Sequence, residues 1–413
     1  MGFDYSEGRL CCDGVAIEDI AAEHGTPFYC YSADTIRERF GRYQRHFGSG
    51  GLVCYAVKAN SNQSVIGMLG KLGAGADVVS GGEMRRALLA GIPAQRIVFS
   101  GVAKTADEMR EALQAGILQF NVESEPELER LNEVAVSLGC RAPVAFRVNP
   151  DIDAHTHEKI TTGRSINKFG ITWNRVSGVY ARAASLPGIR VQGIATHIGS
   201  QLTELEPFEK AFRCHAELTG RLRAEGHEIS VLDVGGGLGI DYRDGSAPPP
   251  PLSGLAELAH GILGPLGCRI LVEPGRSVVG EAGVLVARVV YVKPGESVRF
   301  LILDAGMNDL LRPSLYDARH EMIAVRQTQD PAVTCDVVGP ICETGDTFAR
   351  GIELPPLEAG DLLAIRDAGA YGAVMASSYN TRPLVAEVLV DGGRARLVRR
   401  RMTVEEQIAL DSP

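Results

Sequence analysis

Three features of the chain have residue types and positions that together could do covalent chemistry: Lys58, the triplet Gly235-Gly236-Gly237, and Glu273. Lys58 ends an apolar run in Tyr55-Ala-Val-Lys-Ala-Asn60. A lone lysine there reads as a surface charge. A desolvated amine, its pKa lowered by burial, could instead condense with an aldehyde. The glycine triplet could bring backbone N–H groups up to a phosphate. It completes neither G-x-G-x-x-G nor a Walker A sequence, so a tight turn accounts for it equally well. Glu273, in Glu-Pro-Gly-Arg, taken alone reads as a salt-bridge partner. Together an amine, a phosphate cradle and a carboxylate suit pyridoxal phosphate. The amine holds the aldehyde and the glycines hold the phosphate. The carboxylate keeps the ring nitrogen protonated, which makes the ring an electron sink. His197 could stack on the ring face, although without these neighbours it reads as an ordinary core or surface histidine.

Two further groups of residues are candidates. His155 and His157 form His-x-His, but no convincingly spaced third ligand follows, so no metal is expected. Residues 151–170 read instead as a loop over the site. Arg312, Tyr316, Cys342, Glu343, Asp346 and Tyr371 form a second cluster. Cys342-Glu343 follows Gly339-Pro340 on a loop after a strand. Cys342 reads either as a buried small hydrophobe or as a reactive thiol.

Elements that could position these groups are visible. Eight short β-rich runs are predicted at Leu52–Val57, Ala76–Ser80, Ile97–Ser100, Gln119–Val122, Pro143–Val148, Gly193–His197, Ile229–Val234 and Ile270–Val272. Amphipathic segments alternate with them. Thr105 with Glu108, and Ser124 with Glu127, match the helix capping box. Glu206–Gly226 and Ser253–Leu266 read as further helices. Strands alternating with helices imply βαβ units and parallel pairing. Eight such units fit a (β/α)8 barrel better than an open doubly wound sheet. In a barrel, functional groups gather just past the C-terminal ends of the strands. Those places hold Lys58, Asp77 to Ser80, Ser100-Gly101, Glu123, Arg147 with Asn149, His197 to Ser200, Gly235–Gly237, and Glu273 with Arg276.

From about residue 284 the pattern changes to strands without long helices: Val284–Val292, Val298–Leu303, Val333–Val338, Leu362–Arg366, Leu384–Val390 and Arg396–Val398. The expectation is a barrel over 36–283 and a β-domain formed by 284–413 together with 1–35, sandwich-like or Greek-key-like. Pro248–Pro251 reads as a stiff surface loop.

Composition narrows the classes. The 413 residues carry 42 Lys+Arg against 51 Asp+Glu, a formal net charge of −9 that disfavours nucleic-acid binding. Mean hydropathy is +0.01, and no uncharged apolar stretch is long enough to span a bilayer. The first ten residues carry Asp4, Glu7 and Arg9, unlike a secretory signal. Nine scattered cysteines with no C-x-x-C pair argue against a disulfide framework and suit a reducing cytoplasm.

The order of these motifs resembles the diaminopimelate decarboxylase family of alanine-racemase-like (fold type III) pyridoxal enzymes. The likeness runs from Gly25-Thr-Pro27 to Ala386-Glu-Val388. It includes Tyr55–Asn60, Asp77–Glu83, Phe120–Ser124, Arg147–Asp153, Asn167–Ile171, His197–Gln201, Asp233–Gly239, Glu273–Arg276, Asp304–Tyr316, Val338–Asp346, Ala368–Gly372 and Tyr379–Pro383. The resemblance implies decarboxylation of meso-2,6-diaminopimelate to L-lysine, the last step of lysine biosynthesis, with pyridoxal 5'-phosphate as cofactor. It implies that Lys58 carries the cofactor, with Asp77 nearby, that His197 stacks on its ring, and that Glu273 meets the ring nitrogen. Ser200, Gly235, Gly236 and Gly237, helped by Gly275, Arg276 and Tyr371, would hold the phosphate. Arg276, Arg312, Tyr316, Glu343 and Tyr371 would bind substrate, and Cys342 would donate the proton. In this family Cys342 and Glu343 would reach the partner's site in an obligate homodimer. Glu281, where the family often has Asn, is a small departure.

The substrate explains part of this. One amino-acid end leaves as CO2, and the other must be recognised as a zwitterion. Arg312 can fork onto its carboxylate and Glu343 can take its ammonium. A polyamine-forming relative has no distal carboxylate to bind. The competing readings are a decarboxylase for ornithine, arginine or carboxynorspermidine, an amino-acid racemase, and a cofactor-binding homologue without catalysis.

Overall fold

The computed structural model describes residues 2–152, 168–296 and 298–411. The expectations at His155, His157 and Asn167 lie outside these residues. The chain divides into two compact units. One comprises 40–240 with 248–275, the other 1–39 with 241–247 and 276–413.

The first unit is a closed (β/α)8 barrel. Its strands are β1 (Leu52–Ala56), β2 (Gly75–Val78), β3 (Ile97–Phe99), β4 (Gln119–Val122), β5 (Ala142–Asn149), β6 (Ile189–Ala195), β7 (Val231–Asp233) and β8 (Arg269–Val272). Each pairs in parallel with the next, and β8 pairs with β1. The expected strands stand within about two residues of these bounds, except that β6 starts at Ile189 rather than Gly193.

The helices between the strands follow local signals. Thr105 caps the helix Ala106–Ala115 through a complete capping box with Glu108, and Gly116 ends it in the left-handed conformation. Ser124 caps Glu125–Ser137, but here the expected box does not close. The Glu127 carboxylate bonds Glu123 N at 2.9 Å and buried Lys104 Nζ at 2.7 Å. Lys104 Nζ also donates to the carbonyls of Gly101 and Asn121. This buried ammonium ties the ends of β3 and β4 together.

The barrel interior is apolar around Leu52, Cys54, Val98, Val231 and Leu271. Polar side chains share it. Gln192 Nε2 donates to Gln119 Oε1 (3.1 Å), Gln119 Nε2 to Asn121 Oδ1 (2.7 Å), and Asn121 Nδ2 to Asp233 Oδ2 (2.9 Å). Asn121 Nδ2 also donates to Ser100 Oγ at 3.1 Å. Buried polar groups persist where each finds a partner, and this chain ends on the carboxylate of β7.

The second unit is built on one large sheet. Its order is Thr347–Leu354, Val333–Val338, Arg299–Leu303, Gly283–Pro294, Phe28–Ser32, Ala386–Asp391, Arg394–Arg399. Leu362–Ile365 also pairs with Gly283–Pro294 and carries Met322–Ala324. The strand Phe28–Ser32 is buried throughout. It supplies the middle of a sheet whose other members lie beyond residue 282. A small hairpin sheet, Phe3–Ser6, Arg9–Cys12 and Val15–Ala16, packs its Phe3, Leu10 and Cys12 into the same core.

Candidate active site

At the C-terminal end of the barrel, Lys58 stands in the 3-10 turn that follows β1. Its Nζ pairs with the Asp77 carboxylate of β2. Its side chain keeps 35% exposure, so an ion pair, rather than the expected desolvation, surrounds the amine. The other Asp77 oxygen is buried without a hydrogen-bond partner among the described residues.

Glu273 follows β8. One of its oxygens is likewise buried with no hydrogen-bond partner among the described residues. Burial, then the charges of Asp233 and Asp77, push its carboxyl well above the usual range, and Lys58 opposes them. Burial raises Asp233 to about 6 against the hydrogen bonds from Asn121 and Gly235. Two buried carboxyls whose charges oppose each other titrate as a pair, and each favours its protonated form. An unpaired, buried carboxyl oxygen beside that pair is an acceptor waiting for a donor.

The glycine triplet leaves β7. Gly235 has φ +69°, and its N–H bonds Asp233 Oδ1 at 3.1 Å. A Cβ on Gly236 would lie 2.2 Å from the Glu273 carbonyl oxygen. Glycine is needed here because the turn runs directly against the β8 loop, where Glu273 N donates to Gly235 O at 2.8 Å. The loop after β6, with Ser200, is joined to this turn by Leu202 N to Gly237 O (2.9 Å) and Gly239 N to Leu202 O (3.0 Å). Gly275 packs against Ala56 and Ala59 at the end of β1.

His197 comes from the end of β6. Its Nδ1 accepts from Gly236 N at 3.3 Å. Burial, with Arg147 and Lys58 nearby, lowers its pKa well below the ordinary value, so the ring is neutral. Arg147 donates to the His197 carbonyl (3.3 Å) and to Glu123 (3.0 Å), and Glu123 also accepts from Gly101 N (3.1 Å) and Gly170 N (3.2 Å). The ends of four strands are thus braced around one carboxylate.

The remaining candidates lie in the second unit. Arg276 and Arg312 are both buried. Arg276 Nη1 donates to Tyr242 Oη at 2.5 Å, and its guanidinium lies 4.8 Å from the Tyr371 ring centre. Tyr371 itself sits at φ +56°, a conformation rare for a bulky residue and one that clusters at functional sites. The Arg312 guanidinium lies 4.6 Å from the Tyr242 ring. Arg312 opens the short helix Arg312–Tyr316, so Tyr316 at i+4 shares its face.

Cys342 is exposed, which removes the buried-hydrophobe reading. Its Sγ lies 3.8 Å from the Asn380 amide. Glu343, also exposed, accepts from Tyr379 Oη. Asp346 holds this loop through Ile341 N (2.6 Å) and Met307 N (2.6 Å).

Asp233, Asn121 and Tyr242, which the structure sets against these candidates, were not singled out in the sequence, nor was His320, whose Nε2 lies 2.8 Å from Arg312 Nη1. Asp233 lies at a strand end, where the same rule that singled out the glycines would have found it. Tyr242 and His320 carry no local signal. Among the described residues no group of three or more His, Cys, Asp or Glu could hold a metal ion. No helix among them is long and apolar enough to cross a membrane.

Residues 33–280 match the family model of the pyridoxal-dependent decarboxylase pyridoxal-binding domain. The chain is 50% identical to diaminopimelate decarboxylase of Zymomonas mobilis over 408 residues, 98% of this chain and 97% of the relative. It is 49% identical to that of Vibrio cholerae, over 99% of this chain and 98% of the relative. The crystal structure of Helicobacter pylori diaminopimelate decarboxylase complexed with L-lysine superposes with a TM-score of 0.92 at 43% identity, covering 95% of this chain and 98% of that one.

Proposed function

The chain belongs to the pyridoxal-dependent decarboxylases, in the diaminopimelate decarboxylase family, and from that membership we propose how its residues divide the conversion of meso-2,6-diaminopimelate to L-lysine and CO2. The observation that carries the assignment is the buried, unpaired oxygen of Glu273, in the same ring of strand ends as Lys58 and the glycine turn. These residues fit pyridoxal phosphate: an amine, a glycine turn that excludes side chains, and an acceptor for a ring N–H. When bound, the cofactor supplies an aldehyde for an amine and a ring that accepts the electron pair freed as a Cα substituent departs.

Lys58 holds the aldehyde, and Asp77 keeps the amine in place. Glu273 supplies the acceptor oxygen at the ring nitrogen. His197, held neutral by burial and oriented by Gly236 N–H, presents its ring face to the cofactor. Ser200, Gly235–Gly237 and Gly275, with Arg276 and Tyr371, take the phosphate. In substrate binding, Arg276, Tyr316 and Tyr371 orient the amino acid. Arg312 forks onto the distal carboxylate, and Glu343 takes the distal ammonium. Cys342 Sγ delivers the proton to Cα after CO2 has left.

Cys342 and Glu343 are exposed on the single chain, which suits service in the site of a second copy. We therefore assign a homodimer with shared sites. Nine unbridged cysteines suit the cytoplasm as its location.

The test is CO2 release by the holoenzyme on meso-diaminopimelate, ornithine and arginine. Turnover of diaminopimelate alone, with lysine as product, is expected. Turnover of ornithine or arginine instead would sink the role of Arg312, since those substrates have no distal carboxylate.

A further inference from the structure

We propose that His320 is a positioning residue that selects which edge of the Arg312 guanidinium meets the distal carboxylate of the substrate. This inference rests on the role given to Arg312 above. Arg312 Nη1 lies 2.8 Å from His320 Nε2, and His320 Nδ1 lies 2.7 Å from the carbonyl oxygen of Arg366. A guanidinium can only donate and a carbonyl can only accept. The two contacts therefore leave a single state of the ring, with the proton on Nδ1 and the Nε2 lone pair turned to Arg312. Arg366 is itself held in place, its N–H donating to the Glu321 carbonyl at 2.8 Å.

A protonated His320 would set N–H against N–H. The groups around the ring resist this. Burial, then the charge of Arg312, with Arg276 adding to it, hold its pKa down at about 3 against the Arg366 carbonyl. The Tyr242 ring meets His320 edge-on, centroids 5.3 Å apart at 80°, and lies against the Arg312 guanidinium. Tyr242 thus packs against both groups, and the bond to His320 sets the rotation of the guanidinium.

The consequence follows from the shape of the fork. Nη1 lies on the side of the side-chain stem, so engaging it leaves the opposite edge, Nε with Nη2, for a carboxylate. Arg312 Nε is buried with no hydrogen-bond partner among the described residues, which makes it a donor reserved for an occupant. A carboxylate on that edge receives two parallel charge-assisted bonds. Without His320 the guanidinium is free to turn its end toward the ligand, and the buried edge loses its acceptor.

Loss of CO2 from one end of diaminopimelate leaves L-lysine with the other amino-acid end intact. L-lysine is therefore a probe that carries the distal carboxylate. Cadaverine, the same chain without that carboxylate, is the matched probe that lacks it. The experiment measures binding of both to the holoenzyme, with KM and kcat for diaminopimelate, in His320→Gln and His320→Asn. Glutamine can place an acceptor near the position of Nε2. Asparagine can keep the donor to Arg366 but removes the acceptor for Arg312.

His320→Asn is expected to weaken L-lysine and raise KM by about tenfold or more, with each factor of ten equal to about 1.4 kcal/mol. Cadaverine binding and kcat stay near wild type, and His320→Gln restores most of the loss. Unchanged lysine binding in His320→Asn overturns the proposal. So does an equal loss of both probes in both variants, which marks a purely structural role. Arg312→Met separates the premise from the inference. If it leaves the preference for lysine over cadaverine intact, the role of Arg312 has failed. If it abolishes the preference while His320→Asn does not, only the role of His320 has failed. On the unsubstituted protein, histidine 15N shifts assigned by difference from His320→Gln are expected to show a neutral Nδ1–H ring that does not titrate between about pH 5 and 9. A ring titrating there overturns the proposal without recourse to any variant.

Discussion

Replacing Gly236 with alanine adds one methyl group at the point where two backbone segments touch. Its Cβ would stand 2.2 Å from the Glu273 carbonyl oxygen and 3.1 Å from the carbonyl carbon. Ordinary contact is about 3.5 Å, so the segments must separate by roughly 1 Å. Neither can yield alone. Glu273 N is bonded to Gly235 O at 2.8 Å, Gly235 N to Asp233 Oδ1 at 3.1 Å, and Gly236 N to His197 Nδ1 at 3.3 Å. Overpacking of this kind costs about 1–3 kcal/mol. The displaced turn would also carry the Gly237 N–H away from the place proposed for the phosphate, where a charge-assisted bond is worth about 1.5–3 kcal/mol. Cofactor affinity should fall by about tenfold to a hundredfold. The assay reconstitutes cofactor-free protein with increasing pyridoxal phosphate and follows the absorbance of the bound cofactor. Gly220→Ala, in a helix where no atom lies within 4 Å of the new Cβ, is the control. Wild-type affinity in Gly236→Ala would refute the claim that this turn is the phosphate cradle.

Three further outcomes are expected. Mixing Lys58→Ala with Cys342→Ala subunits, each inactive alone, should restore about a quarter of wild-type activity, since half of the dimers in a random mixture carry one intact shared site; no recovery on subunit exchange would place Cys342 in its own chain's site. Burial raises Asp309 to about 6, above its unfolded value of about 3.9, so the folded state holds that proton more tightly. Its contribution to stability then falls by about 2 kcal/mol as pH rises from about 4 to 6, and Asp309→Asn should gain on wild type across that window in denaturant titrations; a pH-independent difference would contradict this. Thr105→Ala should lose about 1 kcal/mol of barrel stability with its cap, and Glu108→Ala more, because that carboxylate also accepts from Gly81 N at 2.7 Å on the next helix; equal losses would show that the second contact contributes nothing.

The barrel was legible because its signals are local. Each strand is a short apolar run, and Thr105 and Ser124 mark helix starts by residue type alone. Lys58, His197, the glycines and Glu273 were singled out by one geometric rule, that strand ends carry the chemistry, and the structure sets them at the strand ends of the barrel. What stayed hidden depends on distant partners. The start of β6 was missed because Gln192 reads as a surface residue, and its burial makes sense only once Gln119 and the Leu118 carbonyl receive it. Asp233 gains its meaning from Asn121 on another strand. The strand Thr347–Leu354 escaped because only Phe348 and Leu354 along it are buried, and Gly351 breaks it at φ +59°. The terminal helix Val404–Asp411 buries no residue and so shows no periodic face. The amine of Lys58 was expected in an apolar setting, and the Asp77 carboxylate meets it instead.

The strand Phe28–Ser32 lies between Gly283–Pro294 on one side and Ala386–Asp391 on the other. Its first partner is synthesised roughly 250 residues after it. At about 5–20 residues per second, a ribosome takes some tens of seconds to reach that partner, and longer to reach the second. Throughout that interval an apolar strand, Phe-Tyr-Cys-Tyr-Ser, waits with both edges unpaired while the barrel that follows it in the chain can already close. The nascent protein therefore passes through a stage in which this strand is a ready template for other chains. Translation that stops before residue 386 leaves one edge of it permanently open. This places the greatest need for a chaperone, or for early docking of the Phe3–Cys12 hairpin over this strand, at the N-terminus of a polypeptide still being made.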